Sequence, residues 1–123
     1  MGTSQQSLPF EYVTAEILRQ HFNDDGIWQR VQAEELVALV NTDTHCVAPP
    51  LGDPVCTHSQ TMHYYTHEAK LVAIVHQYQR PDGKLGASGL PDPKWLRLSD
   101  KIIGLQPTQR RNEQGPDSRI PPV

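Results

Sequence analysis

CTHSQTMHYYTH, residues 56–67, gathers one cysteine and three histidines, and His45 and Cys46 lie just upstream. Such side chains do two kinds of chemistry: they bind a metal, or they move protons. A zinc site needs several soft or borderline donors converging tetrahedrally. Cys46, Cys56, His58 and His63 are the right donors. Their spacing argues against them, because there is no Cys-x-x-Cys pair and His45-Cys46 are adjacent residues whose side chains diverge in extended chain. The simpler reading is loop histidines and small cysteines, so no metal ligands and no cofactor are assigned, and a zinc site across the Cys46–His63 region is an alternative.

Proton transfer is the sharper possibility. Side chains alternate across a strand, which puts His63, Tyr65 and His67 on one face, and Val72, Ile74, His76 and Tyr78 on one face of the next strand. A two-residue turn at Glu68-Ala69 sets His63 opposite Ile74 and Tyr65 opposite Val72, so that His63 and His76 are diagonal neighbours. Two imidazoles can divide acid and base work near neutral pH. Arg80 or Lys84 is then placed to stabilise a phosphate, which suits metal-independent RNA cleavage with Tyr65 or Tyr78 stacking on a base. The candidate catalytic residues are His63, His76 and Arg80; the candidate ligand-binding residues are Tyr65, Tyr78, Lys84 and Trp95. The competing reading has these rings bordering a core with their polar tips in water.

The elements that must position these residues follow from pattern. Thr14 is an N-cap for a helix through Phe22, with Val13 and Leu18 as a hydrophobic staple, and Asn23 to Gly26 ends it. IWQRV reads as a short strand or as the start of the next helix. QAEELVALVN, residues 32–41, reads as that helix, and residues 42–59, with three prolines and a glycine, as a long loop. Strands follow on either side of Glu68-Ala69, then a turn at Pro81-Asp82-Gly83, and a second hairpin turns at Ser99-Asp100. GKLGASG, residues 83–89, is glycine-rich enough to cradle an anion but lacks the Gly-Lys-Ser/Thr ending of a P-loop. The expected fold is α+β: two N-terminal helices packed on a small antiparallel C-terminal sheet. Residues 1–106 form one domain, and 107–123 read as a flexible or loosely docked tail.

At 123 residues the chain fits a single modest core. A formal charge of −3 gives no general electrostatic reason to bind nucleic acid, and no apolar run approaches the ~20 residues of a membrane-spanning helix. With no basic-then-apolar leader, a cytoplasmic protein with reduced thiols is expected.

VHQYQRPDGKLGASGLPDPKWL, residues 75–96, resembles a segment recurring in short uncharacterised bacterial proteins of the kind carried on mobile integron gene cassettes. The resemblance implies a self-contained bacterial accessory protein and transfers no active site. The leading expectation is a small binding or interaction module, a homodimer, using the His/Tyr-bearing sheet face and the Gly-Pro-rich loop toward a small molecule or protein. A small RNase or toxin-like nuclease is the alternative.

Overall fold

A computed structural model describes residues 8–45 and 52–107, apart from the side chain of His45. The elements are β1 (Phe10–Val13), α1 (Ala15–Asp24), α2 (Ile27–Gln32), β2 (Val37–His45), β3 (His58–Tyr65), β4 (Leu71–Gln79), β5 (Asp92–Arg97) and β6 (Ile102–Leu105). They build one six-stranded sheet in the order β1-β6-β5-β4-β3-β2. Every neighbouring pair is antiparallel except β1 and β6, which run parallel.

This overturns the expected small antiparallel C-terminal sheet. The sheet is mixed and starts at residue 10, and among the described residues two short helices lie against one face. The error lies in QAEELVALVN. α2 stops at Gln32, Glu34 adopts a left-handed conformation (φ 64°), and the His67 ring donates from Nε2 to the Glu34 carbonyl at 2.9 Å. Leu-Val-Ala-Leu-Val fits a buried helix turn and a strand equally by spacing; its β-branched residues and the free edge of β3 decide for the strand. Of the two readings of IWQRV, strand or helix, the helix holds, because Gly26, at φ 61°, lets the chain turn directly from α1 into a second short helix.

α1 forms where expected and runs two residues further, to Asp24. The Thr14 hydroxyl accepts from the Ile17 amide at 3.2 Å, and both staple residues, Val13 and Leu18, are buried. The helices cover Ala73, Val75, Leu96 and Ile103 on the sheet, so the core is a single layer between them. The β3–β4 turn holds three residues: the Thr66 amide donates to the Lys70 carbonyl at 2.9 Å, and Ala69 is left-handed (φ 70°). A bulge after Tyr64 absorbs the difference, so that Tyr65 faces Leu71 while His63 faces Ile74. From residue 108 onward the expected tail lies outside the described residues. No helix among the described residues is long and apolar enough to cross a membrane.

Thr14→Ala removes the cap and is expected to cost about 1 kcal/mol in urea unfolding, with Thr14→Ser recovering most of it. An unchanged midpoint in the alanine variant shows that packing alone holds α1.

Candidate functional site

The sheet has two faces with different chemistry. On the open face, away from the helices, His63 and Tyr65 of β3 sit beside Ile74, His76 and Tyr78 of β4, and Trp95 of β5 faces Ile74. His76 lies across from Thr61, one diagonal step from His63. Each imidazole already has a neighbour: His63 Nδ1 is 3.3 Å from the Tyr65 hydroxyl, and His76 Nε2 is 2.7 Å from Ser59 Oγ. Tyr78 meets the His76 ring edge-on at 4.7 Å, and the Arg97 guanidinium lies 5.9 Å from the Trp95 ring centre. Burial lowers the His76 pKa and Lys94 adds to it, while Asp92 acts the other way, so the neutral ring is favoured.

Ser59 beside His76 was missed by the sequence reading. The pair is a hydroxyl and a base within hydrogen-bond reach, and its signal is the diagonal step between β3 and β4, visible only once register is known. β3 is paired on both edges here, so it offers the pair no oxyanion donors.

Arg80 does not join the histidines. Its Nε donates to Asp53 Oδ1 at 2.8 Å, and the Asp53 side chain is 1% exposed. Asp53 Oδ2 also accepts from the Ala87 amide at 2.9 Å. The glycine-rich segment therefore does hold an anion, and that anion is the chain's own carboxylate. A Cβ on Gly86 would lie 2.5 Å from Asp53 Oδ2, which explains the glycine by close approach. The Ala87 amide, with Arg80 beside it, holds the Asp53 carboxyl below its ordinary pKa against the opposing effect of burial.

This clamp shapes the loop over 80–91. β5 leaves β4 after the His76↔Asp92 pair, and the loop takes its place: Gln79 bridges Leu85, and the Gly86 amide donates to the Tyr78 carbonyl at 2.7 Å. Between this loop and the helices lies a cleft of about 830 Å³. Phe22, Trp28, Leu90 and Pro91 give it apolar walls, and Arg19, Gln77, Asp92 and Lys94 give it polar ones. Asp92 pairs with Lys94 at 2.9 Å and with Arg19 at 3.5 Å. His76 and Tyr78 contribute to the lining as well. A second recess of about 450 Å³ shares Trp28 and Gln77 with the cleft and adds Tyr64, Gln79 and Lys84. The cleft thus joins His76 and Tyr78, the recess takes Lys84, and His63, Tyr65 and Trp95 line neither.

Among the described residues no group of three or more His, Cys, Asp or Glu side chains is placed to hold a metal ion. Cys56 is an exposed free thiol, and Cys46 lies outside the described residues, as does the side chain of His45.

Gly86→Ala is expected to cost about 1–3 kcal/mol in urea unfolding, because the new methyl drives into the clamp. Asp53 contributes stability above about pH 4, the unfolded carboxylate value, and loses it as pH falls through its lower folded value. Asp53→Asn should therefore be less stable at pH 7 and show a flatter acid limb below pH ~4; identical limbs would remove the clamp from the account.

The chain matches no protein-family model, no curated protein and no solved structure.

Proposed function

We propose that the protein binds a small molecule in the cleft between α1, α2 and β4, with the 80–91 loop as its outer wall. One observation carries this reading: apolar and aromatic walls converge with a few fixed polar groups in a single concave space of about 830 Å³, within the usual range of ligand sites. The Gly-Pro-rich loop belongs to the site because Asp53 fixes it there. A cytoplasmic setting, in which Cys56 stays a thiol, is part of the same proposal.

The open face supports a second copy of the chain as partner. A sheet facing water alternates to polar residues; this one carries Phe10, Tyr12 and Leu39, each about half exposed, together with Ile74 and Trp95. Six strands of this length span roughly 600 Å² in projection at ordinary strand spacing. That is comparable to the ~800 Å² of accessible surface that each partner of a stable complex buries. The charge on this face is sparse, which suits self-association better than a nucleic acid.

The nuclease reading has one observation in its favour, the diagonal placement of His63 and His76. It competes with the dimer for the same face and lacks Arg80, which is held by Asp53. RNA cleavage in chelator that vanishes when both histidines become alanine would establish it in place of the dimer.

Trp28 and Trp95 are the two tryptophans and lie on opposite sides of the sheet. In a Trp95→Phe background, a compound found by thermal-shift screening should alter Trp28 emission, and Leu90→Arg, at the cleft wall, should weaken it at least tenfold. Compounds that change only Trp95 emission in a Trp28→Phe background would move the site to the open face. Sedimentation at micromolar concentration should give a dimer that Tyr12→Arg converts to monomer with its helix and sheet signals intact; a wild-type monomer would end the dimer proposal.

A further inference from the structure

Three glutamines stand on the helix-side face of β3 and β4 where the helices no longer cover it. Gln60 and Gln77 are directly opposite in register, and both are nearly buried, at 4% and 8% exposure. Gln79 follows on the same face of β4. Buried amides must be paired, and the way these are paired fixes their direction.

The direction is set at Asp43. A carboxylate accepts hydrogen bonds and, when ionised, donates none. Gln60 Nε2 donates to Asp43 Oδ2 at 3.2 Å and to Gln79 Oε1 at 3.0 Å, which uses both of its N–H groups. Turning this amide over would set its oxygen against a carboxylate. With its nitrogen committed, its oxygen accepts from Gln77 Nε2 at 2.8 Å. Gln77 keeps its amide oxygen and its second N–H, and Gln79 keeps its amide nitrogen; both residues line the recess that shares Trp28 with the cleft.

A buried polar group lies beside the same recess. Tyr64, which also lines the recess, is 1% exposed, and its hydroxyl is buried with no hydrogen-bond partner among the described residues. Native structures carry few such groups. The recess therefore has aromatic walls in Trp28 and Tyr64, an acceptor in Gln77 and a donor in Gln79.

We infer that the site selects an uncharged planar compound with an amide-like edge, an N–H donor beside a C=O acceptor, held by Gln77 and Gln79 against Trp28. The edge of a lactam, a primary carboxamide or a pyrimidinedione presents this pair. This rests on the small-molecule reading of the cleft and narrows it to a chemical class. Asp43 and Gln60 are positioning residues: they set the polarity of the groups that meet the ligand. An apolar ring of the same size would leave both glutamine groups desolvated without partners, which is a strong basis for rejection.

The experiment uses the full chain, with uracil and nicotinamide as probes, toluene and benzyl alcohol as controls, and side-chain amide NMR as readout. The two probes should shift the Gln79 amide protons and the Trp28 indole resonance and bind at least tenfold tighter than the controls. Gln79→Glu keeps the acceptor facing Gln60 and removes the donor facing the ligand, so the fold should survive and the preference should disappear. Asp43→Asn should lower the preference by freeing Gln60 to turn over. Equal binding of probes and controls, or a preference unaffected by Gln79→Glu, overturns the inference and leaves the cleft reading standing. Binding at Trp28 only by compounds without the amide edge does the same. If no compound of any class binds at Trp28, both readings fall.

Discussion

The 80–91 loop and the cleft beneath it are organised by the hydrogen-bonding demand of one strand edge. β4 is nine residues long, and β5 pairs with it only as far as His76. The remaining backbone groups of β4 must find partners or be left wet in the middle of the molecule. The 80–91 loop meets that demand by folding back along β4, and it can do so because Arg80 and Ala87 are both bound to Asp53 from the β2–β3 connection. The cleft is the space left where a short strand gives way to a loop beneath two helices. Cleft wall and sheet completion thus depend on the same carboxylate.

Much of the local structure was legible in the sequence, and the global arrangement was not. Thr14, Val13 and Leu18 announce α1 by capping and staple chemistry, which acts over a few residues. The His63↔Ile74 register follows from alternation and a two-residue turn, and the structure reaches that pairing through three turn residues and a bulge. β1 was invisible because FEYV is short and its partner lies some ninety residues away. The strand β2 was misread as a helix because its apolar spacing satisfies both periods, and only the neighbour β3 discriminates.

The candidate site divides along the same line. His63, His76, Tyr65 and Tyr78 share a face as alternation requires, since side-chain direction in a strand is a local property. Arg80 and Lys84 were grouped with them by proximity in sequence, and the structure sends Arg80 to a partner 27 residues away. The glutamines carried no signal of their own. Gln60, Gln77 and Gln79 read as ordinary polar positions on strands, and their role depends on the helices ending short of them and on Asp43 arriving from β2.

The parallel pairing of β1 with β6 has a consequence for how the chain reaches this state. Residue 10 finds its partner at residue 102, so the outermost strand cannot dock until nearly the whole described chain has left the ribosome. Until then Phe10 and Tyr12 remain in search of a surface, while α1 has already formed beside them from local signals. Closing so long a stretch makes this contact a late and slow event. The nascent protein spends that interval with β6 as an open sheet edge, which is the stage at which a chaperone has something to hold.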